Sequence, residues 1–148
     1  LREILFPLIV ENKKRETKPI LIKISPDLND SDIKKIVDLS FDLKINGIIT
    51  SNTTLGRNNL KSKKKLAAES GGLSGDPLNK RSTDIIRLIH QYSNKKLPII
   101  GVGGIMSTQD AIDKLKAGAS LIQLYTGFIY NGPSFARNIN KEIIKSLN

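Results

Sequence analysis

The sequence predicts an α/β fold built on a parallel sheet, and three observations carry that prediction. Short, β-branched runs alternate strictly with amphipathic helical patterns. No two-residue hairpin turn joins any pair of those runs. The residues least suited to a strand or helix interior cluster just after the C-terminal end of each apolar run. At 148 residues the chain has the length of one ordinary domain.

Leu1 to Leu5 already read as helix interior, so the chain is expected to be a piece of something longer. The run 19–24, led by Pro19 and carrying Ile20, Leu21, Ile22 and Ile24, is the first strand. Asn29 to Asp32 supply cap chemistry for a helix whose face is Ile33, Ile36, Val37, Ser40 and Phe41. Residues 47–51 form the second strand. From Asn52 to Asp76 no period holds, which marks a long loop of the kind that usually carries function. Pro77 suits a helix's first turn, and Leu78, Ser82, Ile85, Ile86 and Ile89 follow at helical spacing. Residues 98–102 are the third strand. Ser107 and Asp110 form a capping box over Ala111, Ile112 and Leu115, and Gly118 closes that helix. Residues 120–125 are the fourth strand. Pro133 opens the last helix, with Ala136, Ile139, Ile143 and Leu147 along one face.

Two architectures share this alternation. An open doubly wound sheet would carry a dinucleotide fingerprint after its first strand, and none is present. A (β/α)8 barrel builds a phosphate site from the loops after its last two strands. The glycine turn Gly101-Val102-Gly103-Gly104-Ile105 and the segment Tyr125-Thr126-Gly127 fit that place, because bare backbone lets an anion approach. The chain therefore reads as the C-terminal half of a (β/α)8 TIM barrel, with four parallel strands alternating with helices.

Composition narrows the chemistry. There is no cysteine, which excludes disulfides, thiolate metal sites and a thiol nucleophile. The single histidine, His90, sits near a helix end and is read as a surface residue favoured by the helix dipole. No metal site is expected. No apolar run is long enough to span a membrane. The net charge of +10 could signal nucleic acid, but aromatics are only 5% and none interleave with the one dense run, Lys61 to Lys65. A solvated lysine-rich surface without nucleic acid is the expectation. A basic, non-catalytic binding module is the non-enzymatic alternative.

Three further features point to a ligand. Lys23 interrupts an apolar strand, where an unpaired charge costs several kcal/mol if buried. It is either a lysine reaching out of a strand end or a cation aimed at an electron-rich ligand. Asn52-Thr53-Thr54 offers an amide, which both donates and accepts, beside two hydroxyls. A plain turn is the alternative there. Gly71-Gly72-Leu73-Ser74-Gly75 is either a hinge or a backbone wall for a flat ring.

In order along the chain, Ile22-Lys23-Ile24-Ser25-Pro26-Asp27-Leu28, Ser51-Asn52-Thr53-Thr54, Gly71-Gly72-Leu73-Ser74-Gly75-Asp76-Pro77-Leu78, Pro98 to Ile105 and Ala117 to Gly127 resemble dihydroorotate dehydrogenase. The loop motif with Ser82-Thr83 is similar to the quinone-dependent class 2 enzymes. The resemblance implies an FMN-dependent oxidation of dihydroorotate to orotate in de novo pyrimidine biosynthesis, with a quinone as acceptor. Residues 1–148 would be the C-terminal part of a single FMN-binding barrel domain. Lys23, Ser51, Gly75, Gly104, Tyr125 and Thr126 would contact FMN, the last two at its phosphate. Asn52 and Thr53 would hold the substrate's pyrimidine ring. Ser51 and Thr126 stand where relatives often carry threonine and serine, a hydroxyl for a hydroxyl in both cases. The catalytic base would lie upstream of Leu1, so this stretch alone is expected to be inactive. An upstream helical segment would give peripheral membrane association, at the cytoplasmic membrane in a bacterium or the mitochondrial inner membrane in a eukaryote. The alternatives are a soluble-class relative or another FMN- or phosphate-binding barrel oxidoreductase. Bulk at Gly104 is expected to exclude the cofactor while leaving the barrel folded.

Overall fold

The computed structural model describes residues 1–58, 60, 62 and 64–147. The order of elements is α1 (Arg2–Lys13), β1 (Leu21–Ile24), α2 (Asp30–Asp42), β2 (Gly47–Thr50), α3 (Lys64–Ala67), a 3-10 turn (Asp76–Leu78), α4 (Asn79–Tyr92), β3 (Ile99–Val102), α5 (Thr108–Lys116), β4 (Leu121–Gln123), α6 (Thr126–Asn131) and α7 (Ser134–Leu147). The four strands form one sheet in the order β1-β2-β3-β4, and every neighbouring pair is parallel. Sequential parallel strands joined through helices are what the alternating pattern requires.

Register explains why only one face of the sheet is dry. Ile22, Ile48 and Ile99 lie in one row and are buried under the helices with Ile33, Val37, Ile85, Ile86 and Ile89. The adjacent row, Lys23, Ile49, Ile100 and Leu121, points to the other face, where Lys23 is exposed and Leu121 is 62% exposed. Alternation of side chains along each strand produces this split. A covered outer face and an uncovered inner face are what a stretch of barrel wall presents.

The caps form as the sequence implies. The Asn29 side chain accepts the Asp32 N–H at 2.9 Å. Ser107 and Asp110 form both arms of the capping box at the start of α5. Pro77 sits in the 3-10 turn that leads into α4, one step ahead of the helix itself. The fourth strand is shorter than expected: Leu124 and Tyr125 leave the sheet, and Tyr125 takes the position before α6 without a side-chain cap bond. That six-residue helix has no apolar stripe of its own and contains a glycine, so no period announces it. Short α3 within the long loop was hidden for the same reason. His90 is half-buried, not a free surface group, because its ring packs on the bare backbone of Gly118. Of the lysine run, Lys61 and Lys63 lie outside the described residues, as does the Leu147 side chain.

Candidate active site

A cleft of about 310 Å³ crosses the C-terminal ends of all four strands. Lys23, Ser51, Asn52, Thr53, Gly75, Gly104, Tyr125 and Thr126 all line it, so the structure brings every sequence-derived candidate to one place. Each arrives by the same route: a parallel strand ends, and the following loop begins at the same rim of the sheet.

Lys23 stands on the uncovered face of β1. Among the described residues it makes no ion pair or hydrogen bond, and its exposure removes the desolvation cost that a buried strand lysine would carry. Both readings of this residue, a lysine reaching out of a strand end and a cation facing a ligand, are compatible with an exposed Lys23 on the cleft lining. Ser51 is only 3% exposed, and its Oγ has no hydrogen-bond partner. An orphaned hydroxyl in a cleft floor is a group awaiting a ligand's acceptor or donor.

The asparagine–threonine segment is held firmly. The Asn52 N–H donates to the Ile24 carbonyl at 2.8 Å, anchoring it to the end of β1. Thr54 and Leu73 exchange backbone hydrogen bonds at 3.0 and 2.8 Å. Asp27 accepts from the Thr54 hydroxyl and from the Leu55 N–H. Thr53 packs on the bare backbone of Gly72, where a methyl group would overlap its side chain. The glycine loop is thus braced against Thr53 and Thr54. Arg57 ties the loop's far arm back by donating to the carbonyls of Gly71 (2.6 Å) and Glu69 (3.3 Å).

On the opposite side, the Thr126 hydroxyl donates to Ser74 Oγ at 2.9 Å, joining α6 to the glycine loop. Tyr125 is 73% exposed. Gly127 lies so close to the Ile105 carbonyl that no side chain fits between them. Gly103 and Gly104 have φ of 105° and 71°, values that strongly favour glycine. A Cβ on Gly104 would meet Asn79, reaching its Cβ at 2.7 Å and its backbone more closely. The reason for glycine at 104 is therefore the first turn of α4 behind it. Bulk there would disturb the fold as well as the ligand, contrary to the expectation of an intact barrel.

Sequence reasoning missed three residues that matter here. Gln123 adds an exposed amide to the cleft from β4. Asn79 and Lys114 lie just behind the Gly103-Gly104 turn. Lys114 is fully buried, and its Nζ donates to Ser82 Oγ (2.6 Å) and Thr83 Oγ1 (3.0 Å). Burial pulls its pKa down to about 8, against the opposing attraction of Asp110, Asp113 and Asp84. Its position three residues after Ala111, on the apolar face of α5, was the signal available.

A parallel strand–helix array with a glycine-walled cleft over its C-terminal strand ends defines part of a (β/α)8 barrel of the enzyme-bearing kind. The comparisons name the family. The profile of dihydroorotate dehydrogenase matches residues 2–147, and the chain belongs to that family. It is 52% identical over 146 residues to a dihydroorotate dehydrogenase (quinone) of Christiangramia forsetii, covering 98% of this chain and 42% of that protein. It is 49% identical over 153 residues to the enzyme of the same name from Trichodesmium erythraeum, covering 99% and 40%. The crystal structure of DHODH from Eimeria tenella in complex with ferulenol superposes with a TM-score of 0.82 at 36% identity, over 91% of this chain and 36% of that one. The chain thus spans about two-fifths of the length of the curated relatives it matches.

Proposed function

We propose that the protein of which these residues are part oxidises dihydroorotate to orotate, using FMN in this cleft and a quinone as final acceptor. The observation that carries the proposal is the convergence of an exposed cation, a buried hydroxyl without a partner among the described residues, an amide–hydroxyl pair and two glycine turns in one cleft. FMN bound there would supply a two-electron acceptor for the substrate's hydride.

The residues present fit that group. Lys23, which among the described residues makes no ion pair or hydrogen bond, would place positive charge where a flavin ring gains negative charge. Ser51 Oγ lacks a partner and would take a polar atom of the ring. Gly75, with φ 81°, would give the ring a backbone wall. Gly104, Tyr125 and Thr126 would surround the phosphate, whose charge the N–H groups at the start of α6 would meet. The phosphate edge of the cleft is then neutral in side-chain charge and relies on backbone dipoles.

Asn52 and Thr53 would hold the substrate. An asparagine amide matches a ring that presents carbonyl and N–H groups side by side. Its anchoring to Ile24 and the bracing of Thr53 on Gly72 would keep that pair pre-organised. The relatives' designation as quinone enzymes supports that acceptor for this chain. Among the described residues no helix is long and apolar enough to cross a membrane, so peripheral membrane association would come through another part of the protein. A cytoplasmic-membrane or mitochondrial inner-membrane location follows from that reading.

Two substitutions in the full-length protein test these roles. Lys23→Ala is expected to weaken FMN binding or slow flavin reduction. Asn52→Ala is expected to raise the KM for dihydroorotate or slow flavin reduction with FMN retained. Unchanged steady-state constants in Asn52→Ala would remove the substrate assignment.

A further inference from the structure

The least expected group in the molecule is Lys114, a cation with no exposed surface and, among the described residues, no ion pair. Its three N–H bonds have three acceptors: Ser82 Oγ at 2.6 Å, Thr83 Oγ1 at 3.0 Å and the Asn79 carbonyl at 3.4 Å. Accepting from Lys114 leaves Ser82 its own proton to donate. The Gly103 carbonyl lies 2.8 Å away and the Asn79 carbonyl 3.1 Å away. Asn79 continues the network: its Nδ2 donates to the Gly104 carbonyl at 2.7 Å and to Asp110 Oδ1 at 2.8 Å. The other Asp110 oxygen collects the N–H groups of Met106 (3.0 Å) and Ser107 (2.7 Å) and the Ser107 hydroxyl (2.8 Å).

Peptide geometry turns this network toward the cleft. In a trans peptide the C=O and the next residue's N–H point in opposite directions. Ser82 and Asn79, neither of which lines the cleft, draw the Gly103 and Gly104 carbonyls toward α4. The N–H groups of Gly104 and Ile105 must therefore face away from α4, on the cleft side. Among the described residues neither N–H has a hydrogen-bond acceptor. Two parallel donors without partners form an anion nest.

We propose that Lys114 is a positioning residue for the cofactor phosphate, fixing through Ser82 and Asn79 the direction of the Gly104 and Ile105 N–H groups and so making the site select a phosphorylated flavin. The proposal rests on the FMN reading above and adds residues remote from the ligand to it. Its charge also lies in a region from which water is excluded, where attraction for a dianion is screened least. The three hydrogen bonds from Lys114 also tie α5 to α4, so ligand preference, not stability, is the quantity that isolates the positioning role.

The test compares two ligands that differ only by the phosphate. Full-length protein stripped of flavin is titrated with FMN and with riboflavin, following flavin fluorescence, in wild type, Lys114→Met and Ser82→Ala. Wild type is expected to prefer FMN. Lys114→Met is expected to lose roughly 10- to 100-fold in FMN affinity, the worth of one or two charge-assisted hydrogen bonds, while riboflavin affinity changes little. Ser82→Ala, a smaller change within the same relay, is expected to lower the FMN preference in the same direction. An FMN preference unchanged in both variants, or equal losses for both flavins, would overturn the positioning role and leave the cofactor reading standing. A wild-type protein that binds both flavins equally would refute the phosphate cradle, and this proposal with it.

Discussion

A methyl group at Gly104 would point into the first turn of α4, and the cost of placing it there can be worked from the structure. The backbone term comes first: φ is 71°, and holding a residue other than glycine in such a region costs about 1–3 kcal/mol. The added Cβ would lie 2.7 Å from Asn79 Cβ and closer still to Asn79 N and Cα. These are parts of a helix start, not the end of a flexible side chain, so relief requires the turn and α4 to separate. Overpacking of that kind costs a further ~1–3 kcal/mol. Separation also stretches the Asn79–Gly104 hydrogen bond of 2.7 Å, worth about 1 kcal/mol. Gly104→Ala should thus destabilise by about 3–7 kcal/mol in total. Gly132→Ala isolates the backbone part, because its φ is 75° with nothing within 4 Å of the new methyl. It should cost only about 1–3 kcal/mol. Urea denaturation of the two full-length variants against wild type reads the difference directly. Equal losses in both variants, or a Gly104→Ala protein as stable as wild type, would refute the argument that α4 dictates glycine at 104.

Lys114 provides a pH test with a definite sign. Its folded pKa lies near 8, below the 10.5 of the unfolded chain, so between those values the unfolded state binds more protons. Wild-type stability should therefore gain from this group as pH rises from about 8 to 10.5, by up to about 3 kcal/mol. The difference between wild type and Lys114→Met should change over that window; parallel stability curves would show that the lysine is not held as described. Asp110 behaves oppositely. Burial raises its pKa, but hydrogen bonds from Ser107, Met106 and Asn79 outweigh that and leave it lowered. Its contribution is present above the ordinary carboxylate range and lost as pH falls through the lowered value. Asp110→Asn should remove that acid-limb dependence and cost about 1–2 kcal/mol at neutral pH through the cap. A stability–pH profile identical to wild type below pH 5 would contradict it.

Legibility in the sequence divides along physical lines. The strands and the long helices announce themselves because burial of one face imposes a period, as in Ile33, Val37 and Ser40 on α2 or Ile85, Ile86 and Ile89 on α4. The rim of the cleft was readable because chemistry-bearing residues at strand ends, such as Asn52 and Thr53, have no role in a hydrophobic core. Helix α6 was not readable, since six residues around Gly127 make no stripe. The support behind the cradle was equally hidden. Ser82 looks like a small residue on an apolar face, and Lys114 looks like one more surface lysine in a chain of net charge +10. Only the packing of α4 against α5 and β3 brings their polar atoms together with the carbonyls of Gly103 and Gly104. At Gly104 the sequence shows that a side chain is missing but not that the first turn of α4 would meet one.

Anaerobic addition of dihydroorotate to the full-length protein, purified with its native cofactor, tests the central claim most directly. The protein is expected to carry FMN stoichiometrically, with a flavin absorbance that bleaches on adding dihydroorotate and returns on adding a quinone. A purified protein that binds no flavin, or whose bound flavin is not reduced by dihydroorotate, would contradict it.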